Sequence, residues 1–352
     1  MSIRIAVLSG GRSGEHEVSR RSGESIVAHL DPATYQVTQV LIGRDGSWSI
    51  DGEPATLPAA LSMLCGQDVV FPAFHGPYGE DGTVQSMLEW LNVPYVGNGV
   101  LASAAGMDKA MTKTLLAADG LRTAAAVTLR PGDELSQEDQ RRLGLPVFVK
   151  PARAGSSLGV SRVESWSQLP AALDKAWQVD EKVLVEQAVS GREIDVAVLQ
   201  YPDGRVVAGP PLEIVADAAF FDYDAKYDGS AVFHIPAALD PVTTQLLQDR
   251  AVQAFQSLGC RGLLRVDFFL PGAAVVASRV DGIGSQVDAA GGSAPIEPVV
   301  NEVNTFPGFT NASQYPRIWQ QAGLGFPQLL DILIEGGRTL PTAGMPVTSG
   351  QV

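Results

Sequence analysis

Apolar positions along the first hundred residues follow two rhythms. Ile3–Ser9 is a short apolar run and predicts a strand, and Gly10–Val18 is polar and glycine-containing and predicts a loop. A helix should follow from Ser19 to about Leu30, where Asp31-Pro32 stops it. Tyr35–Gly43 and Asp68–Phe74 predict two further strands. The next stretch, His75-Gly76-Pro77-Tyr78-Gly79-Glu80-Asp81-Gly82, holds three glycines and a proline and cannot be a regular element. Beyond it Val84, Met87, Leu88 and Leu91 share one helical face. This alternation predicts a small doubly wound α/β unit, whose ligands bind in loops beyond the carboxyl ends of the strands.

The same alternation continues twice more, and no internal repeat is visible. A second unit starts near Asp108-Lys109, with a helix to Asp119-Gly120, a strand at Val147–Lys150, a helix at Gln168–Val179 and a strand at Val183–Glu186. A third starts near Ser190-Gly191, with a strand at Glu193–Leu199, a turn at Pro202-Asp203-Gly204 and a helix at Pro241–Leu258. Two apolar strands then flank Pro271–Pro298, a segment of Gly, Ala and Ser with little periodicity that reads as an extended, partly disordered hairpin loop. A length of 352 residues suits two or three such units better than one core.

Composition narrows the class. The net charge of −14 repels phosphate backbones and anionic lipid, so nucleic-acid and membrane partners are not expected. No apolar run approaches a membrane span, and the first apolar segment reaches Gly10-Gly11 too soon for a signal peptide; a cytoplasmic protein is expected. Two cysteines, Cys65 and Cys260, are too few for a disulfide framework and read as small buried apolar residues.

Two constellations could carry chemistry. Lys150 ends a strand and opens a loop presenting Gly155, Ser156, Ser157 and Gly159. Amides and hydroxyls in such a loop can cradle phosphate, although a hairpin turn has similar composition. It is not a Walker motif, because the lysine precedes the glycines. Period two places Arg265 and Asp267 on one face of one strand, and Glu302 and Asn304 on one face of another. If those strands are neighbours, two carboxylates and an amide oxygen converge in a set Mg²⁺ would accept; a solvated sheet face is the plainer alternative. Two further motifs are set aside. Gly97-Asn98-Gly99-Val100-Leu101-Ala102 fits a dinucleotide fingerprint but does not open the first βαβ unit. His16-Glu17-Val18-Ser19-Arg20 lacks the second histidine of a zinc-protease motif, and the four histidines are scattered.

In order, these pieces resemble the D-alanine–D-alanine ligases of the ATP-grasp superfamily. The resemblance rests on Gly10-Gly11-Arg12-Ser13-Gly14-Glu15-His16-Glu17-Val18-Ser19, the stretch His75 to Gly82, Met107-Asp108-Lys109, Val149-Lys150-Pro151 through Gly155-Ser156-Ser157, Phe221-Asp222-Tyr223-Asp224-Ala225-Lys226-Tyr227, Arg265-Val266-Asp267, and Asn301-Glu302-Val303-Asn304 through Gly308-Phe309-Thr310. It spans roughly residues 3–336.

The resemblance implies a three-domain architecture: an N-terminal doubly wound α/β domain (1–107), a central ATP-grasp lid (108–190) and a C-terminal catalytic domain (191–343), the last two sandwiching ATP. It implies an ATP-driven ligation of two D-alanines through an acyl phosphate, supplying the dipeptide for peptidoglycan. By position Asp267, Glu302 and Asn304 would hold two Mg²⁺, with Mn²⁺ as a substitute. Lys109, Lys150, Ser156, Ser157, Glu186, Glu193, Phe220 and Lys226 would bind ATP. Glu15 would take the first D-alanine's ammonium and, with Ser156 and Tyr227, orient both substrates. Arg265 and the Gly308 N–H would stabilise the oxyanion, while His75, Glu80, Ser313 and Gln314 would line the substrate site. Tyr227 favours an amine over a hydroxyl acceptor. Closure of the 221–230 loop should exclude water. The family precedent is a homodimer. The sequence departs from the family at Gln314, where Leu or Met is usual, at Ser86 after Gln85, and in the length of the 271–298 excursion. The rivals are an ATP-grasp ligase using another D-amino or hydroxy acid, and a catalytically silent nucleotide-binding protein.

Overall fold

The computed structural model describes residues 2–215, 232–272 and 296–339. In the first sheet β1 (Ile3–Gly10) lies between β2 (Tyr35–Ile42) and β5 (Val69–Pro72), parallel to both. An antiparallel hairpin, β3 (Trp48–Ile50) and β4 (Glu53–Ala55), extends the β2 edge. Period two explains why the run Ile5–Leu8 is apolar throughout. Ile5 and Val7 pack with Ile26 of α1 (His16–His29) on one face. Ala6 and Leu8 pack on the other with Leu64 of α2 (Leu57–Leu64) and Leu88 of α3 (Thr83–Trp90). The helices α4 (Val100–Met107) and α5 (Lys109–Ala118) follow, and α5 sends Leu116 into the core of the third sheet.

The second sheet has the order β6-β9-β7-β8 and is antiparallel, from β6 (Ala126–Leu129), β7 (Val147–Pro151), β8 (Ser161–Val163) and β9 (Val183–Gln187). Val147, Val149, Val183 and Val185 point into a core shared with Leu143 of α6 (Gln137–Leu143) and Leu173 of α7 (Leu169–Trp177). Alternation therefore turns Phe148, Lys150 and Glu186 to the opposite face.

The third sheet runs β13-β12-β10-β14-β15, with β11 beside β10. Its strands are β10 (Arg192–Gln200), β11 (Val206–Ala208), β12 (Leu212–Val215), β13 (Val232–His234), β14 (Leu263–Leu270) and β15 (Val299–Asn304). Helix α8 (Pro241–Ser257) buries Leu247, Ala251, Ala254 and Phe255 against it. The last two helices, α9 (Gln314–Gln321) and α10 (Phe326–Thr339), share one core with both the first and third sheets: Tyr315, Ile318 and Leu330 lie with Ile5 and Phe71 on one side and with Ala197 and Leu263 on the other. Each such large apolar side chain contributes about 2 kcal/mol on burial, so these helices bind the first and third sheets firmly.

The structure revises three expectations. Helix α1 starts at His16, not Ser19, because the Ser19 N–H already bonds the Glu15 carbonyl; a polar first turn had read as loop. Cys65 is exposed rather than buried, since α2 turns Ala60 and Leu64 inward and leaves the residue after its end facing out. The helix expected over 168–179 is a 3₁₀ turn, Trp166–Gln168, followed by α7. Residues 273–295 of the expected hairpin excursion lie outside the described residues. Among the described residues no helix is long and apolar enough to cross a membrane.

Candidate active site

A cavity of about 400 Å³ opens between the second and third sheets, lined in part by Lys109, Lys150, Ser156, Ser157, Glu186, Glu193 and Glu302. All seven were expected at the nucleotide or metal end. Lys109 begins α5, after Asp108 caps the helix by accepting from the Ala110 and Met111 N–H groups. Its ammonium donates to the Ala154 carbonyl at 2.7 Å and lies 4.0 Å from Glu302. Lys150 and Glu186 face one another from β7 and β9, with Nζ to Oε1 at 2.5 Å. A second lysine, Lys113 of α5, reaches the other Glu186 oxygen at 2.5 Å. Burial alone would raise the Glu186 carboxyl, but Lys150 and Lys113 outweigh it and hold the group ionised. Burial lowers the Lys113 ammonium, against the pull of Glu186.

The loop after β7 is held in an unusual backbone conformation. Ser156 and Ser157 adopt φ of +50° and +57°, a left-handed backbone that is costly for residues other than glycine. The Ser156 hydroxyl donates to the Glu15 carboxylate, which brings the polar start of α1 against the loop after β7. Gly76 lies in the same place with φ of +74°; a Cβ there would stand 2.5 Å from Glu15 Oε2. The Gly76 N–H donates to Glu80 Oε2 at 2.7 Å and the Phe306 N–H to Glu80 Oε1 at 2.9 Å. Burial first, and then the nearby Glu15 carboxylate, push the Glu80 carboxyl up to about 8 against those two donors. His75 is fully enclosed, and both its ring nitrogens are engaged by Ser22 and the Phe306 carbonyl; burial pushes the imidazole down to about 4.

Three neighbouring strands bring the carboxylates together. Register pairs Asp195 of β10 with Asp267 of β14, and Asp267 with Glu302 of β15; one step along, Asn304 stands opposite Arg265. Asn304 Nδ2 donates to Asp267 Oδ2 at 3.0 Å. The Arg265 guanidinium forks onto Asp267 at 2.7 and 2.8 Å and lies 3.4 Å from Asp195. Burial alone would lower Arg265, but Asp267 and Asp195 overcome it and keep the cation charged. Asp195, Asp267 and Glu302 face two cations, Arg265 and Lys109, so one negative charge is left over. Among the described residues no three His, Cys, Asp or Glu side chains form a metal cluster, and the oxygens of Asp267, Glu302 and Asn304 are the donor type that a hard divalent cation takes. Gln314 Oε1 accepts from Arg265 at 2.8 Å, and Ser313 Oγ takes the Thr310 N–H at 3.0 Å beside Gly308. Phe220, Lys226, Tyr227 and the 221–230 loop lie outside the described residues.

The structure thus gathers Glu15, Ser156, Glu80 and Gly76 at one end, Arg265, Asp267, Glu302, Asn304 and Gln314 in the middle, and Lys109, Lys150 and Glu186 at the other. The sequence reading missed Lys113, Asp195 and Ser22. Asp195 had a signal: it follows Glu193 by two on the same strand face. Lys113 had a weaker one, one helical turn after Lys109.

Two open sheets closing on a lysine- and glutamate-lined cleft, beside a row of carboxylates, define an ATP-grasp protein. The chain matches the D-ala D-ala ligase N-terminus family over residues 4–63 and 51–98, and the D-ala D-ala ligase C-terminus family over 115–281 and 286–335. It is 45% identical to the D-alanine–D-alanine ligase of Mycolicibacterium smegmatis, covering 94% of each chain. It is 44% identical to that of Corynebacterium efficiens, covering 95% of this chain and 96% of the relative. Among solved structures it is similar to the VanG D-Ala:D-Ser ligase of Enterococcus faecalis (TM-score 0.80, 32% identity, 96% of this chain and 100% of that one). It is also similar to the D-alanine–D-alanine ligase of Coxiella burnetii (TM-score 0.77, 33% identity, 96% and 94%). A third, the Bacillus anthracis D-alanine–D-alanine ligase complexed with ATP, aligns at TM-score 0.75 and 28% identity over 96% and 97%. The chain belongs to the D-alanine–D-alanine ligase family.

Proposed function

We propose that the protein joins two D-alanines at the expense of ATP, through a D-alanyl phosphate, to supply a dipeptide for peptidoglycan. The observation that carries this reading is the Ser156–Glu15 hydrogen bond: it connects an amino-acid-binding carboxylate of the first unit to the loop lining the nucleotide cavity. Phosphoryl transfer needs positioning and charge neutralisation more than a covalent nucleophile, and the site offers lysines and carboxylates. Lys109 and Lys150 hold the phosphates, and Ser156 and Ser157 present the loop to them. Lys113 keeps Glu186 ionised when Lys150 turns to the nucleotide, and Glu186 and Glu193 face the adenosine. Phe220 and Lys226 remain assigned to the base and the phosphate end, and Tyr227 to the Glu15–Ser156 set.

Asp267, Glu302 and Asn304 would hold Mg²⁺, which when bound neutralises the phosphate oxygens. Glu15 orients the first D-alanine by its ammonium, so that its carboxylate attacks the γ-phosphate, the bond to the β-phosphate breaks and ADP leaves. Arg265 and the Gly308 N–H then stabilise the oxyanion formed when the second, deprotonated amine attacks the acyl carbon, and its collapse breaks the acyl C–O bond and releases inorganic phosphate. Ser313 takes the second substrate's carboxylate, with His75, Glu80 and Gln314 shaping the pocket. The units 1–107, 108–190 and 191–343, a homodimer and a cytoplasmic location complete the reading. A phosphate-release assay with ATP and Mg²⁺ tests it. D-alanine alone should release phosphate in step with dipeptide, and D-serine or D-lactate should compete poorly as acceptor. Release that ignores D-alanine would contradict the proposal.

A further inference from the structure

Ser22 lies on α1, fully buried, one helical turn past the stretch that carries Glu15. Its hydroxyl is 2.8 Å from His75 Nε2 and accepts the Phe309 N–H at 3.2 Å. On the other side of the ring, His75 Nδ1 is 3.1 Å from the Phe306 carbonyl. A carbonyl only accepts, so Nδ1 carries the proton; Nε2 of the neutral ring then accepts from the Ser22 hydroxyl. The chain Phe309 N–H to Ser22 to His75 to Phe306 C=O closes around four residues, Phe306-Pro307-Gly308-Phe309. Glu80 holds the same turn by the Phe306 N–H.

We infer that Ser22 is a positioning residue for the ligation: with His75 it clasps the Phe306–Phe309 turn from both ends and so fixes the direction of the Gly308 N–H. The inference rests on the reading of Gly308 as an oxyanion donor. A donor of this kind acts by being aligned before charge develops, and small misplacement is costly. Removing the hydroxyl leaves the Phe309 N–H and His75 Nε2 without their partner in a buried place, and the turn relaxes.

The test compares wild type, Ser22→Ala and Ser22→Cys as full-length proteins. Cysteine keeps a weak donor and acceptor in similar shape. Three quantities are measured: kcat for dipeptide formation, KM for ATP, and the affinity, in the presence of ATP, of a phosphinate dipeptide analogue that imitates the tetrahedral intermediate. Ser22→Ala should lower kcat about tenfold or more and weaken the phosphinate by a similar factor, since a loss in the transition state appears in its analogue. KM for ATP should stay within twofold, and Ser22→Cys should fall between. A kcat within twofold of wild type in Ser22→Ala overturns the inference. So does a loss in which ATP affinity, phosphinate affinity and thermal midpoint all decline together, because that marks a general packing defect. Retained phosphinate binding with reduced kcat also overturns it. A wild-type protein that ligates D-alanine yet does not bind the phosphinate removes the oxyanion reading, and the inference with it, while leaving the ligase activity standing.

Discussion

Asp267 illustrates how much one side chain does here: it accepts from Asn304, forks with Arg265 and faces Asp195 and Glu302 across the sheet. Asp267→Asn and Glu302→Gln keep shape and remove charge, so both should fold and lose turnover by about a thousandfold, the scale of several kcal/mol of lost charge stabilisation. Steady-state kinetics with circular dichroism checks this; near-wild-type rates in both variants would withdraw the metal assignment. His75 gives a pH prediction. Burial depresses its imidazole from 6.5 to about 4, so the unfolded chain binds the extra proton between those values. The associated stability is fully present above about pH 6.5 and is lost as pH falls towards 4. Between pH 7 and pH 5 this group alone should cost the protein about 2 kcal/mol. His75→Gln should show a flatter fall in denaturation midpoint over that range, and an equal slope in the two proteins would count against the assignment.

Elements join through a few polar ties. The glycine stretch Gly97-Asn98-Gly99, which as sequence imitates a dinucleotide fingerprint, serves as one of them. Asn98 Nδ2 donates to the Leu263 and Thr305 carbonyls at 2.8 and 2.7 Å, and Asn98 Oδ1 accepts the Arg261 N–H at 2.8 Å. Asn98→Ala leaves buried carbonyls unpaired and should lower stability by about 2–3 kcal/mol, read by urea denaturation; a change under about 0.5 kcal/mol would deny the tie. The decoy shows why motif and role diverge: spacing records glycines, but only packing against β14 and the 304–306 segment reveals their use. Strands β1, β9 and β10 were legible as short apolar runs, the pattern of strands buried on both faces, and β14 by the alternation of Arg265 and Asp267 with apolar neighbours. The helix start at His16 was not, because a polar first turn carries no periodic apolar signal. The β3–β4 hairpin, three residues to a strand, is too short to show a period at all.

At the scale of the molecule, the site exists only where the three sheets meet. Glu15 comes from the start of α1 beside the first, Lys150 and Glu186 from strands of the second with Ser156 in its β7–β8 loop, and Arg265, Asp267, Glu302 and Asn304 from strands of the third. Individual residues were legible because family motifs name them, and their convergence followed from the motif order. Asp195 and Lys113 showed only in their spacing, two after Glu193 and four after Lys109, and Ser22 not at all, since each acts on another residue and such partnership is a property of folded distance. The C-terminal helices bind the first and third sheets into one core, so the second sheet is the one whose approach can alter the cavity. The central claim is that the carboxylate of the first D-alanine attacks ATP. D-alanine labelled with ¹⁸O in its carboxylate, incubated with ATP, Mg²⁺ and the protein, tests it directly by mass spectrometry of the products. An acyl phosphate predicts one labelled oxygen in each released phosphate for each dipeptide formed; unlabelled phosphate alongside dipeptide would contradict it.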